Sequence, residues 1–456
     1  MIDHSTIAAV STPLGKGGIS VIRVSGPEAV PVSSRVFHPG AGSLETVSSN
    51  HMVHGRILSR EGLPIDDGMA VVFREPKSFT GEDTVEISCH GGMLLTQTVL
   101  EALIAAGAAP AGKGEFTKRA FLNGKLDLTQ AEAIIDLIDA ESTAQLKVAS
   151  QGIRGVLSEE IGSIYQSLQD AAASIYAFID FPDEDLTDYS SAELLSLLEE
   201  VSSRLESLSD SYRFGKAVCE GIRTVIVGRP NVGKSSLLNA LLQRDRAIVT
   251  SVPGTTRDTI EESLPIGEIT LRLCDTAGIR LTDDPLEQMG IERARRALDS
   301  SELVLAVFDS SEPANEDDRF LLRILKESAV PALFIRNKCD LPDRFTGSMP
   351  PLDSIPVSAV NGTGLEKLKE EIQRLFLADT IHYDGHAILT NARQFHAVAR
   401  ASEHVSSAIS ALKAGYSQDI SCMDIESALS DLSDLSGRQV TEEIVDSIFH
   451  RFCIGK

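Results

Sequence analysis

Apolar positions along this chain follow different periods in different stretches, and the changes of period divide it. Through about residue 120, short β-like runs such as Gly18-Ile-Ser-Val-Ile-Arg-Val and Gly68-Met-Ala-Val-Val-Phe alternate with Gly/Pro turns, and a helical stretch follows near Met93–Ala106. This predicts a compact α/β domain over residues 1–120. From Thr129 to about Phe214 the spacing turns helical. Ala131, Ile134, Ile135, Leu137 and Ile138 share one broad face, and Leu194, Leu195, Leu198, Val201, Leu205 and Leu208 another. Helices packed on helices are expected over residues 121–217. The run Thr224-Val-Ile-Val then opens a β/α alternation, with strands predicted at Thr270–Cys274, Leu303–Phe308, Ala332–Arg336 and Ile355–Pro356, as a mostly parallel sheet requires. After Asp379 helical spacing resumes over Thr390–Ala414, Met423–Leu435 and Thr441–Phe452. The helical material on either side of the β/α block is alike in kind. The block at 218–378 is therefore read as inserted into a helical domain whose second part spans 379–456.

At 456 residues the chain has room for about two to four domains, and 42% hydrophobic with 24% charged residues is the composition of a soluble globular protein. A formal charge of −24 argues against a dedicated nucleic-acid surface, which works by neutralising phosphates with Lys and Arg. Any RNA contact is expected to be local or lent by a partner. Cysteines at 89, 219, 274, 339, 422 and 453 stand singly, with no CxxC pair and no zinc spacing, and point to a reduced, cytoplasmic setting. The start, Met1 to Ile7, has no basic region, and Ile7–Val10 is too short for a signal core, so no export signal is expected. The longest nearly apolar stretch, Leu303–Phe308, falls far below the ~18 residues that span a bilayer, and no membrane role is expected.

Chemistry concentrates in the β/α block. Gly228-Arg-Pro-Asn-Val-Gly233-Lys234-Ser235 follows a strand and precedes a helix expected over Ser236–Gln243. Glycines there let the backbone curl so that its N–H groups face phosphates, Lys234 reaches the β/γ oxygens, and the Ser235 hydroxyl ligates Mg²⁺. Gly254-Thr255-Thr256-Arg257-Asp258 supplies Thr256, whose hydroxyl completes the Mg²⁺ shell when a γ-phosphate is present. Asp275-Thr276-Ala277-Gly278 ends a strand with a carboxylate for magnesium through water and a glycine N–H for the γ-phosphate. Asn337-Lys338-Cys339-Asp340 selects the base, because the Asp340 carboxylate accepts from N1–H and N2–H₂ of guanine and finds no such donor pair on adenine. Lys338 lies along the base plane, and a backbone N–H of Ser358-Ala359 covers O6. A polar or glycine turn would explain any one motif. Their order, each at a strand end, predicts a Ras-like P-loop G domain acting on GTP rather than ATP.

One position departs from the Ras pattern. The glutamine that orients the attacking water after the DxxG motif is here Ile279, which neither donates nor accepts. Asp283, Asp284, Glu287 and Glu292 are the acidic candidates for that task, although most such loop charges are simply solvated. Arg257 and Arg280 could serve as an arginine finger. A monovalent cation held by the Asn231 side chain and switch carbonyls is the alternative source of positive charge.

The domain order, Gly228–Ser236, Gly254–Asp258, Asp275–Gly278, Asn337–Asp340 and the last residues Phe452-Cys453-Ile454-Gly455-Lys456 closely resemble the MnmE (TrmE) family of tRNA-modification GTPases. The C-terminal Cys-Ile-Gly-Lys is the most family-specific piece. Thr12-Pro-Leu-Gly-Lys-Gly-Gly-Ile, Ser78-Phe-Thr-Gly-Glu-Asp and Phe121-Leu-Asn-Gly-Lys-Leu-Asp-Leu also look like that family. The resemblance covers essentially the whole chain. It implies an N-terminal α/β folate-binding-like domain that forms a homodimer, and a central helical domain interrupted by the inserted G domain. It also implies action with a flavin-binding partner, MnmG, in a heterotetramer that installs an aminomethyl or carboxymethylaminomethyl group at C5 of the wobble uridine of certain tRNAs. The one-carbon donor it implies is 5-formyltetrahydrofolate or a related tetrahydrofolate derivative, contacted by Arg23, Glu86, Lys125 and Lys456. The same resemblance selects Glu287 as the catalytic glutamate and K⁺ in place of an arginine finger, with ligands Asn231, Thr250, Val252 and Thr255; Mg²⁺ falls to Ser235 and Thr256. Nucleotide contacts are then expected from Asn231, Val232, Gly233, Lys234, Ser235 and Ser236, from the run Thr250, Ser251, Val252, Pro253, Gly254, Thr255 and Thr256, and from Asp275, Thr276, Ala277 and Gly278. Asn337, Lys338, Asp340, Ser358 and Ala359 complete the set. Cys453 is open between a nucleophile, a helper in the modification chemistry and a small residue filling a gap.

The rival reading is a ribosome-assembly GTPase of the Era or Der type, which shares the G motifs. Such proteins carry a basic KH-type RNA module, whereas the segment after this G domain is helical and acidic.

Overall fold

The computed structural model describes residues 5–180, 191–244, 262–273, 301–345, 353–377, 385–437 and 441–456. They gather into two compact units that do not follow chain order. One holds Met1–Ile138, Ile153–Tyr165 and Glu426–Lys456; the other holds Asp139–Gly152 and Gln166–Ile425.

The first unit is built on a seven-stranded sheet. Its strands are β1 (Ile7–Val10), β2 (Ile19–Ser25), β3 (Phe37–Pro39), β4 (Met52–Leu58), β5 (Pro64–Phe73), β6 (Thr84–His90) and β7 (Ala109–Pro110), in the order β3-β4-β5-β6-β2-β1-β7. All neighbours are antiparallel except the β1–β7 pair. The period of two decides what each face carries. Ile22 and Val24 on β2 and Val85, Ile87 and Cys89 on β6 turn inward to pack against the helices Ala29–Val36 and Met93–Ala105. Arg23 and Glu86 sit between them in sequence, pair across the two strands, and so project from the other face. A helical layer in the same unit packs Leu128, Ala131 and Ile135 against Val445, Ile448, Phe449 and Phe452. The face expected over Ala131–Ile138 is narrower than its apolar pattern: Ile138, at the end of its helix, is 46% exposed.

The second unit contains a six-stranded sheet of β8 (Ile222–Val227), β9 (Glu262–Ile266), β10 (Ile269–Leu273), β11 (Leu303–Asp309), β12 (Ala332–Asn337) and β13 (Ile355–Pro356). The order is β13-β12-β11-β8-β10-β9, parallel throughout except for the β9–β10 hairpin. Every residue of β11 is buried, as a central parallel strand covered on both faces demands. The edge strand β9 contains Pro265, tolerated there because an edge strand has a side with no ladder partner. The long helix Ser191–Cys219 buries Leu194, Leu198, Val201, Leu205 and Leu208, the face expected of it, with Leu195 at its margin. It pairs with the helix Ala392–Lys413 through a Tyr212–Phe395 stack at 4.5 Å. The backbone of Leu389 passes so close to Gly215 that a Cβ would lie 2.1 Å from its carbonyl oxygen. Among the described residues no helix is long and apolar enough to cross a membrane.

Candidate functional site

β8 ends at Val227 and the helix Lys234–Arg244 begins at Lys234, two residues before the start expected from sequence, so Gly228 to Gly233 form the loop between them. Gly228 (φ +156°), Asn231 (φ +63°) and Gly233 (φ +96°) supply the backbone angles that curl it. Packing also excludes side chains at the glycines: a Cβ on Gly228 would lie 2.4 Å from the Val307 oxygen, and one on Gly233 2.2 Å from Asn337 Nδ2. Val232 buries its side chain in the core and offers the loop only main-chain atoms. Lys234 Nζ folds back to donate to the carbonyls of Gly228 (2.7 Å) and Arg229 (2.8 Å), and burial alone lowers its pKa. Ser235 and Ser236 are exposed in the first turn, where free N–H groups and the helix dipole favour an anion.

The base-selecting motif leaves the end of β12. Asn337 is 1% exposed and joins three motifs: its Nδ2 donates to the Val232 carbonyl at 2.8 Å and its Oδ1 accepts the Ala359 N–H at 3.1 Å. Asp340 is exposed beside it. The expected O6 donors both have main-chain or side-chain acceptors here: the Ser358 N–H donates to the Thr363 carbonyl and the Ala359 N–H to Asn337 Oδ1. An O6 contact at Ala359 shares or displaces that bond. Lys338, left-handed at φ +63°, sends Nζ to Asp309 Oδ2 at 2.5 Å. Burial pushes the Asp309 carboxyl up, and the bonds from Lys338 and from Ser311 outweigh it, holding the group below the ordinary range.

Sequence reasoning missed two residues here. The strand was expected to stop at Phe308, but it includes Asp309, which faces Asn337 in register on β12. A carboxylate closing an apolar parallel strand at its C-terminal end was the available signal. Arg229, the second loop residue, is likewise held: its Nη2 donates to Glu312 at 2.7 Å and its Nε lies 3.6 Å from Asp318. Asp318 belongs to a capping box with Asn315 at the start of the helix Glu316–Glu327. Its burial raises its carboxyl above the usual range, more than the Asn315 N–H and the Arg229 charge offset.

In the other unit, the four residues that the resemblance assigns to folate gather around the Ser78–Asp83 loop and the end of the chain. Arg23 Nε donates to Glu86 Oε1 at 2.8 Å, Nη2 lies 2.8 Å from the same oxygen, and the guanidinium lies 5.6 Å from the ring centres of Phe79 and Phe116. The Phe116 N–H donates to the main-chain oxygen of Lys456 at 3.2 Å. Lys125 packs over Gly81, donates to the Pro76 carbonyl at 2.9 Å, and lines a cleft of about 850 Å³ with Phe121, Gln130, Tyr165 and Leu432. The chain end is seated by a bridge between Lys113 and Ile454 and by the Ser11 hydroxyl donating to the Gly455 carbonyl. A Cβ at Gly455 would lie 2.1 Å from the Val10 oxygen, which is why glycine precedes Lys456. Cys453 is a free, exposed thiol.

Thr250, Ser251, Val252, Pro253, Gly254, Thr255 and Thr256, Asp275, Thr276, Ala277 and Gly278, Ile279, and the acidic candidates including Glu287 lie outside the described residues.

Two family models match the chain: the MnmE helical domain over residues 128–453 and the GTP-binding protein TrmE N-terminus over residues 6–125. It is 42% identical to the tRNA modification GTPase MnmE of Natranaerobius thermophilus, covering 99% of this chain and 100% of that protein. It is 40% identical to the protein of the same name from Geobacter metallireducens, covering 99% of each. Among solved structures, the G domain of the T. maritima FeoB iron transporter is 27% identical, over 33% of this chain and 96% of that one, with a TM-score of 0.24.

Proposed function

The chain belongs to the MnmE family of tRNA modification GTPases, and from that premise we propose how its residues divide the work of a GTP-hydrolysing enzyme of tRNA modification. The observation that carries the GTPase reading is Asn337, whose side chain ties the phosphate loop to both base-selecting segments. Lys234 neutralises the β/γ-phosphates from the mouth of the loop. Asp340 reads guanine. The exposed Ser235 hydroxyl at a helix N-terminus would hold Mg²⁺ with Thr256, and the left-handed, exposed Asn231 would hold K⁺ with Thr250, Val252 and Thr255. When bound, these ions supply positive charge to the transferring phosphoryl group. Glu287 orients the attacking water in place of the glutamine that Ile279 cannot imitate.

The Arg23–Glu86 pair, with Lys125 and Lys456, suits a tetrahydrofolate derivative: a carboxylate accepts from pterin N–H groups and cations pair with its carbonyls or carboxylates. The full reading is a cytoplasmic homodimer working with an MnmG-type flavoprotein on C5 of the wobble uridine, Cys453 being available as a modification-chemistry residue. Full-length similarity to MnmE proteins, beyond the shared G motifs, favours this over a ribosome-assembly GTPase. GTP turnover is expected to be about tenfold or more faster in potassium than in sodium salts, and Glu287→Ala to slow it by about 100-fold without loss of GTP binding. Equal rates in the two salts, together with no binding of 5-formyltetrahydrofolate, would sink the proposal.

A further inference from the structure

Two cations of the nucleotide motifs end on carboxylates of one short stretch, from the end of β11 through the first turn of the helix Glu316–Glu327. Arg229 of the phosphate loop reaches Glu312 and Asp318, and Lys338 of the base motif reaches Asp309. The second contact is the shorter. Asp309 is 2% exposed, its Oδ2 accepts from Lys338 Nζ at 2.5 Å, and its Oδ1 accepts the Ser311 N–H at 2.9 Å and the Ser311 hydroxyl at 2.6 Å. An exposed lysine pair has little effect because two long side chains must be ordered in water. Here the carboxylate is already fixed by the strand and by Ser311, so only the lysine remains to be ordered. The backbone of Lys338 is fixed as well, since the Cys339 N–H donates to the Val357 carbonyl and the Leu341 N–H to the Lys338 carbonyl.

We propose that Asp309 is a positioning residue for guanine-nucleotide binding: it anchors the Lys338 ammonium so that the lysine stem is held in place before the base arrives. Neither the motif spacing nor the resemblance assigns Asp309 a part. The inference rests on the proposed role of Lys338 at the base. Without the anchor, binding must first order four rotatable bonds of a lysine, a cost that falls on affinity and leaves the phosphoryl end untouched.

The test uses the full chain and titrates GDP and GTP into the wild type, Asp309→Asn, Lys338→Met and the double variant. Asp309→Asn is expected to weaken GDP and GTP alike by about tenfold, with kcat at saturating GTP within about threefold of wild type. If Asp309 acts through Lys338, adding Asp309→Asn to Lys338→Met costs less than about a further twofold. A full tenfold loss on both backgrounds assigns Asp309 a separate, structural part and overturns the inference, as does unchanged affinity in Asp309→Asn alone. If Lys338→Met binds guanine nucleotides as well as wild type, the reading of the base site itself has failed. Should Asp309→Asn fail to fold, Ser311→Ala loosens the same carboxylate, and the expectation is a loss of about two- to threefold that vanishes on the Lys338→Met background. No loss in Ser311→Ala then overturns the inference.

Discussion

At the scale of single residues, the nucleotide cleft is governed by positions where backbone angle and close approach coincide. Gly233 combines φ +96° with a neighbour, Asn337 Nδ2, that a Cβ would meet at 2.2 Å. Gly233→Ala strains the backbone by about 1–3 kcal/mol and displaces the side chain that couples the phosphate loop to the base motif. It is expected to weaken GTP binding by at least about tenfold, measured by equilibrium titration, while the chain still folds. Lys234 is different, because its contribution is charge rather than shape. Lys234→Met leaves the loop glycines alone and is expected to lower kcat/KM for GTP by about 100-fold or more in a phosphate-release assay. Both residues were legible in the sequence, since the motif spacing names them. Asp309 was legible only as a carboxylate ending β11; its pairing was not, because no spacing rule relates it to Lys338, the residue that follows its register partner Asn337.

At the scale of elements, the helix Ser191–Cys219 meets the six-stranded sheet through a charged cluster at its C-terminal end. Lys216 hydrogen-bonds Glu302, and Glu302 also accepts the Arg223 N–H at 3.1 Å. Burial would raise the Glu302 carboxyl, but the Lys216 bond, the Arg223 N–H and the two positive charges outweigh it and hold it below the usual glutamate range. A depressed folded-state carboxyl contributes stability that is present above the unfolded glutamate pKa of about 4.3 and is lost as pH falls through the folded value. Glu302→Gln is therefore expected to cost about 1–2 kcal/mol at neutral pH, read as a lower urea midpoint, and the gap to wild type should close as the pH is taken below about 4. Apolar periodicity had announced this helix and most strands of its sheet. It did not announce β9, whose Pro265 breaks the strand signal and is acceptable only because β9 lies at the sheet edge. It also overstated the face ending at Ile138, since period marks which side can be buried and says nothing of how far a covering element extends.

At the scale of the whole molecule, a formal charge of −24 opposes tRNA, whose backbone binds by phosphate neutralisation. The isolated chain is expected to bind tRNA at least about tenfold more weakly than its mixture with the proposed flavoprotein partner, in filter binding at fixed salt. Equal binding would remove the argument for a partner-supplied surface. Nucleoside analysis of tRNA from cells lacking this chain should show loss of the C5-modified wobble uridine. The sequence by itself determined the local pattern: a phosphate loop between strand and helix, the carboxylate of Asp340 proposed to select guanine, Ile279 where a water-orienting side chain is expected, and the order of β/α and helical stretches. These follow from short-range rules of backbone angle, period and hydrogen-bond pattern, which adjacent residues carry in full. Tertiary structure alone decided that Asn337 is the joint of three motifs, that the Ala359 N–H is engaged by it, that Asp309 receives Lys338, and that Gly455 seats the chain end on β1. Each of those depends on a contact between residues distant in sequence, where distance and burial set the energy and no local pattern records them.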